Sequence, residues 1–218
     1  MIELPVRAIL LDLDKTLVNL EDHVDYCAAL EDARRTAGVG ELEVEVDVPP
    51  STWGRCAHRT MELLVALAGR RELWTAYSDA IERWELAGAP RSEPMPGLTG
   101  FLGAVRGLPT AIVTLVGPRA CRSVLERHRI VVDAEVARAP DLRPKPSGDQ
   151  VERALQVLGV PPEEAVMVGD GAWDEAAARA AGVRFLGLRN GREDPGFDGS
   201  PVVEGLVEAA RALRSEAS

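Results

Sequence analysis

Two carboxylates stand two residues apart at Asp12 and Asp14, directly after the apolar run Ala8-Ile9-Leu10-Leu11. A run that short reads as a buried strand rather than a helix. On a continuing strand, positions i and i+2 point to the same side, so both acids would face one spot. The carboxyl ends of strands are where ligands collect in an open α/β sheet. Two acids converging there repel each other unless a cation or a reaction gives them a task; the plain alternative is a solvated strand end. Three further clusters follow strand-like runs: Thr114 after Ala111-Ile112-Val113, Lys145 within Arg143-Pro144-Lys145-Pro146, and Asp170 with Asp174 in Gly169-Asp170-Gly171-Ala172-Trp173-Asp174. A parallel sheet would bring all four clusters to one edge.

That set of charges implies a chemistry. Four carboxylates against one lysine make a site too negative to stand without a cation. Oxygen donors without His or Cys favour Mg²⁺, which keeps several waters and bridges to phosphate. A phosphate dianion can then approach carboxylates it would otherwise avoid. One aspartate can attack phosphorus to give an aspartyl-phosphate, and a second can protonate the leaving alkoxide and later deprotonate the hydrolytic water. Thr114 and Lys145 would hold the phosphoryl oxygens and offset their charge. Composition singles out the lysine independently: of 25 basic residues, only Lys15 and Lys145 are lysines. In so arginine-biased a chain, a lysine marks a place where a compact ammonium on a thin stem serves better than a broad planar guanidinium.

The surrounding elements divide the chain into a core, residues 1–17 and 93–218, and an insertion, residues 18–92. The insertion reads as three helices at about 20–37, 51–68 and 71–87. The first stops at Gly38. The second opens at Ser51 behind Pro49-Pro50 and stops at Gly69, and the third carries Leu73, Trp74, Tyr77, Ile81 and Trp84 at helical spacing. Between the first two, residues 42–48 alternate strictly and are expected to form a short extended edge. Beyond the breaker-rich stretch 91–97, expected strands at 110–115, within 131–136, at 165–168 and at 183–188 alternate with helices at 98–105, 118–128, 147–158, 174–181 and 201–214. This rhythm predicts an α/β fold of three layers, a parallel sheet with helices on both faces.

In order and content, Asp12-Leu13-Asp14-Lys15-Thr16, Thr114, Lys145 and the stretch from Gly169 to Asp174 resemble the four motifs of the haloacid dehalogenase superfamily. Pro96-Gly97, Lys145-Pro146 and Ala178-Arg179-Ala180-Ala181-Gly182 resemble its phosphoglycolate-phosphatase-like branch. The resemblance implies a Rossmann-like core with Asp12 as nucleophile and Asp14 as acid/base. It implies Mg²⁺ held by the Asp12 carboxylate, the Asp14 main-chain carbonyl and Asp170, with Asp174 serving the metal's waters or orienting Lys145. It also implies that residues 18–92 form a mobile helical cap whose closure excludes water and selects substrate. The chain departs from the family pattern at Lys15, where relatives often carry Gly, at Leu115, where many carry Asn, and at Ser147-Gly148, where Pro is common. The reading that results is a Mg²⁺-dependent phosphatase acting on a small phosphorylated metabolite. Among the competitors, the family's dehalogenases usually lack the second aspartate, here Asp14. Phosphonate hydrolysis needs a cap lysine, and residues 18–92 contain none. A phosphomutase shares Asp12 and Asp14 and stays an alternative, as does a catalytically silent phosphate-binding regulator.

Composition bounds the rest. A chain of 218 residues holds one sizeable core, or a core and an inserted unit, and 46% hydrophobic with 28% charged residues is ordinary for a globular protein. A formal net charge of -10 argues against nucleic-acid and anionic-membrane partners. No apolar run approaches the ~18 residues of a membrane span, and none builds a signal peptide before Asp12. A cytoplasmic monomer or homodimer is therefore expected. Cys27, Cys56 and Cys121 are odd in number and lack metal-type spacing, so buried free thiols in a reducing cytosol are expected. Arg34, Arg35, Arg55, His58 and Arg59 could bind an anionic leaving group, but a solvated helix face is the simpler account. Trp53, Trp74, Tyr77 and Trp84 are expected in the insertion's own core, Trp173 in packing of its loop, and His23 and His128 at the surface. Lys15 is open to either a surface or a pocket role.

Overall fold

The computed structural model describes residues 6–40, 46–194 and 196–216. Among them the chain opens with β1 (Ala8–Leu11) and β2 (Val18–Asn19), then makes a 3₁₀ turn at Glu21–His23. Helices α1 (Tyr26–Ala37), α2 (Arg55–Ala66) and α3 (Arg71–Gly88) follow, and the chain returns at β3 (Glu93–Pro94). Next come α4 (Leu98–Ala104), β4 (Thr110–Val113), α5 (Pro118–His128), β5 (Ala134–Val136) and α6 (Asp149–Leu158). The last elements are β6 (Ala165–Gly169), α7 (Ala172–Ala180), β7 (Arg184–Leu188), β8 (Val202–Val203) and α8 (Leu206–Glu216).

The main sheet has the order β5-β4-β1-β6-β7-β8 with every neighbouring pair parallel. β1 is wholly apolar because both its faces are covered. Ile9 and Leu11 pack into one core with α4, α5, α8 and the inserted helices, while Ala8 and Leu10 pack into a second core with α6 and α7. The chain starts mid-sheet, fills one side through β4 and β5, then crosses to fill the other from β6. That reversal leaves a crevice at the carboxyl ends of β1 and β6. β2 and β3 pair antiparallel, Val18 opposite Pro94, so the chain leaves for the inserted helices and returns from them at one place.

Several boundaries differ from expectation for local reasons. The first inserted helix begins at Tyr26 rather than near residue 20, because the amides of Leu20 and Glu21 are taken by the Asp14 carboxylate and Asp25 caps the helix. It ends at Gly38 in the left-handed conformation, φ 66°. The second begins at Arg55, after a loop that holds Trp53. β1 ends at Leu11, so Asp12 and Asp14 sit on the turn beyond the strand rather than on the strand itself. Val202–Val203, expected to be helical, adds the short outer strand β8. Of the alternating stretch, residues 42–45 lie outside those described, and 46–48 are irregular. No helix among the described residues is long and apolar enough to cross a membrane.

The expectation of three free thiols is corrected. Cys27 and Cys56 are joined in a disulfide with a Cα–Cα distance of 5.0 Å, and Cys121 alone is a free, buried thiol, pushed up to about 12 by burial. The partners stand at the first turns of α1 and α2, a juxtaposition made by helix packing that a separation of 29 residues does not disclose. A cross-link closing a loop of that length stabilises by about 3–4 kcal/mol, mainly by restricting the unfolded chain. Cys27→Ser should therefore lower the unfolding midpoint by several degrees. Denatured protein should titrate one thiol before reduction and three after; three thiols without reductant would rule the bond out.

Candidate active site

Asp12, Asp14, Thr114, Lys145, Asp170 and Asp174 line one cleft of about 500 Å³, part of it open to solvent, between the carboxyl edge of the sheet and the inserted helices. β1 delivers Asp12, β4 delivers Thr114 and β6 delivers Asp170, all from adjacent strands. Asp174 follows on the first turn of α7. Its approach to the sheet needs a glycine: a Cβ on Gly169 would lie 2.7 Å from the Asp174 Cβ.

Lys145 is the centre of the arrangement. Its Nζ donates to Asp12 Oδ1 at 2.7 Å, to Asp174 Oδ1 at 2.5 Å and to the Val113 carbonyl at 3.0 Å, which accounts for all three hydrogens. Burial alone would lower the pKa of this ammonium; Asp12 and Asp174 overturn that and hold it above the ordinary lysine range. Gln150 fixes the loop. Its Oε1 accepts from the Lys145 amide, and its Nε2 donates to the carbonyls of Thr114 and Val136.

The acids divide into two kinds. Carboxylate oxygens of Asp12, Asp170 and Asp174 all lie within 4.8 Å of one another, and the three residues are buried. Burial, then the charge of Asp12, raises Asp174 to about 6; burial, then Asp12 and Asp174, raises Asp170 well above the carboxylate range. A buried, all-oxygen donor set in mutual repulsion fits a hard divalent cation. Asp14 stands apart. It lines the cleft, but its Oδ1 accepts from the amides of Leu20 and Glu21 at 2.8 and 3.1 Å. Burial raises it to about 7, which suits a group that exchanges protons near neutrality.

Four acids against one lysine undercounts the positive charge. Arg192 places Nη2 3.2 Å from Asp170 Oδ2, donates to the Asp170 carbonyl at 2.5 Å, and reaches Thr52 of the insertion through Nη1. Thr16 adds a hydrogen bond from Oγ1 to Asp170 Oδ1 at 3.2 Å. Sequence reasoning missed Arg192, Thr16 and Gln150. Thr16 lies within the first motif and could have been inferred from it. Arg192, in a loop after β7, carries no local signal.

The inserted helices reach the site through α3. Arg138, buried, donates to Ser78 Oγ, to the Ser78 and Leu115 carbonyls and to Glu85 Oε1, while Glu85 Oε2 accepts from the Gly117 amide at 2.9 Å. The loop that presents Thr114 is thereby tied to α3. Gly117 has no room for a side chain, since a Cβ would meet Glu82 at 2.6 Å.

The remaining candidates separate cleanly. Trp53 lines the cleft rather than sitting in the insertion's core, whereas Trp74 and Tyr77 are buried in that core and Trp84 donates to Asp32. Trp173 does both jobs. It donates from Nε1 to the Pro49 carbonyl at 2.8 Å, stacks obliquely on Trp53 with ring centroids 4.9 Å apart, and faces the cleft. Lys15 pairs with Asp22 at 2.6 Å outside the cleft lining and adopts φ 59°, the left-handed conformation that glycine takes without strain. Arg34, Arg35, Arg55, His58 and Arg59 do not line the cleft; His58 instead meets Ser51 and Glu62. His23 and His128 are each partly buried, and His128 bonds Ser92.

Comparison with known proteins gives a consistent placement. The chain is 28% identical to a plasmid-encoded phosphoglycolate phosphatase of Cupriavidus necator over 97% of its own length and 93% of that protein. It is 29% identical to a phosphoglycolate phosphatase of Chromobacterium violaceum over 87% of each chain. Among solved structures, CbbY from Rhodobacter sphaeroides in complex with phosphate superposes with a TM-score of 0.64 at 21% identity, covering 93% of this chain and 96% of that one. The L-2-haloacid dehalogenase of Xanthobacter autotrophicus superposes at 0.67 with 16% identity, covering 96% and 98%. The fold is thus shared by enzymes of different chemistry. The family profile of the haloacid dehalogenase-like hydrolases matches residues 6–182, four of the six strands of the main sheet and every acid of the cleft, and the chain belongs to that family.

Proposed function

We propose that this enzyme, a phosphatase of the haloacid dehalogenase-like hydrolases, cleaves the phosphate monoester of a small metabolite through an aspartyl-phosphate on Asp12. The observation that carries the reading is the Lys145 ammonium held between Asp12 and Asp174 beside Thr114, with Asp14 on the same cleft. Asp12, Asp170 and Asp174 would hold Mg²⁺, which supplies positive charge that lets a phosphate dianion approach these carboxylates.

An Asp12 carboxylate oxygen forms a bond to phosphorus as the ester P–O bond breaks. Lys145 holds Asp12 in place and balances charge on the phosphoryl oxygens. The Thr114 Oγ accepts from the Val116 amide, so its O–H can donate to one of those oxygens. The Asp14 carboxyl, anchored through one oxygen by the amides of Leu20 and Glu21, gives its proton to the leaving alkoxide and later takes one from the water that cleaves the phosphoenzyme. A departing halide needs no proton, so Asp14 favours the ester over a dehalogenase reading. The relatives named phosphoglycolate phosphatases support the same class. Residues 18–92 act in this reading as a cap over the cleft, in a monomer or homodimer; the Cys27–Cys56 bond withdraws the free-thiol argument for a reducing compartment.

Asp12→Asn should abolish phosphate release and phosphoenzyme trapping; turnover at the wild-type rate would remove Asp12 as nucleophile. Lys145→Arg should cost about a hundredfold or more in kcat/KM, because a planar fork cannot serve three acceptors converging on one nitrogen. Near-normal kinetics in that variant would contradict the clamp. A third outcome concerns pH. Asp14 and Asp174 are raised to about 7 and about 6 from 3.8, so the folded chain binds more protons than the unfolded one across that window. Without metal, stability should therefore fall as pH rises from about 4 to about 7. Mg²⁺ competes with those protons and should raise the melting temperature more at pH 8 than at pH 5; a pH-independent increment would place the metal elsewhere.

A further inference from the structure

The half of the cleft that faces the inserted helices has a different character from the half that faces the sheet. Its walls are Tyr26 at the start of α1, Trp53 before α2, Ala57 and Met61 one turn apart on α2, Leu115 beyond β4, and Trp173 on α7. Glu21 also lines the cleft, its Oε1 held by the Gly54 amide at 3.2 Å. Among the described residues, Lys145 is the one cationic side chain in the lining, and its three hydrogens are directed at Asp12, Asp174 and the Val113 carbonyl on the sheet side. Arg192 is outside the lining and bound to Asp170 and Thr52.

A phosphate ester bound with phosphorus at Asp12 must lay its alcohol portion against this wall. A carboxylate or second phosphate there would be desolvated beside aromatic rings and Glu21 with no positive partner, which is strongly unfavourable. An uncharged hydrocarbon or aromatic group would bury apolar area against Trp53, Met61 and Trp173. Resting on the phosphatase reading above, we infer that the substrate's leaving group is uncharged and largely apolar, and that esters of hydroxy acids, phosphoglycolate included, are poor substrates of this enzyme.

The test is phosphate release by the full chain with Mg²⁺ from four compounds. Isobutyl phosphate and 2-phosphoglycolate are near-isosteric, one neutral and one anionic in the leaving group, and both expel an alkoxide. Benzyl phosphate probes the aromatic wall, and acetyl phosphate reports phosphatase competence independently of the wall. The expected result is kcat/KM for isobutyl phosphate at least about 100-fold above that for 2-phosphoglycolate, with benzyl phosphate at least as good. Trp53→Ala should lower the benzyl phosphate value by about tenfold, a larger factor than it costs acetyl phosphate; an equal loss on both would count against contact between the ring and the leaving group. Met61→Arg should narrow the gap between the isosteric pair. Phosphoglycolate turned over as well as isobutyl phosphate, or both alkyl esters inert beside an enzyme active on acetyl phosphate, would overturn the inference alone. No hydrolysis of any of the four would overturn the phosphatase reading and this inference with it.

Discussion

The site depends on one buried cation between two buried anions. Three carboxylates brought within 4.8 Å of each other, away from bulk water, cannot all be charged without compensation. Lys145 supplies part of it by meeting Asp12 and Asp174 together, and Arg192 supplies more from the far side of Asp170. The parallel sheet exists, functionally, to set this geometry. Adjacent strands β4, β1 and β6 end side by side, and the crossing of the chain at β1/β6 leaves the gap into which the acids project.

A second layer ties the inserted helices to the chemistry. Arg138 and Glu85 are both fully buried, and between them they hold the Leu115 carbonyl, the Gly117 amide and Ser78 of α3. Asp14 does similar work at the other entrance, since the amides it binds begin the connection to α1. The loops that carry Thr114 and Asp14 are therefore tied to α3 and to the start of the insertion by shared hydrogen bonds.

Much of this was legible in the sequence because the signals are local. Short apolar runs marked the strands and picked out Asp12, Asp14, Thr114, Asp170 and Asp174 at or beyond their ends, and the scarcity of lysine picked out Lys145; the order of the strands within the sheet was not among these signals. What escaped was non-local. Arg192 reaches Asp170 from a loop that no periodicity marks, and Gln150 acts through backbone carbonyls of two other segments. Cys27 and Cys56 meet because two helices pack side by side. Trp53 faces the cleft because the helix expected to carry it starts two residues later. In each case tertiary placement, not residue type, decided the role.

The acid-rich lining has a kinetic corollary. A phosphate ester diffusing toward a chain with ten more acidic than basic groups is repelled at long range, and a cation held at the acid cluster would reverse the sign of the field only close in. Mobile ions in solution shorten the reach of the repulsion to about 10 Å at 0.1 M ionic strength while leaving contacts inside the cleft largely unscreened. Encounter should thus quicken as salt rises, opposite to enzymes that draw anions in along a basic funnel.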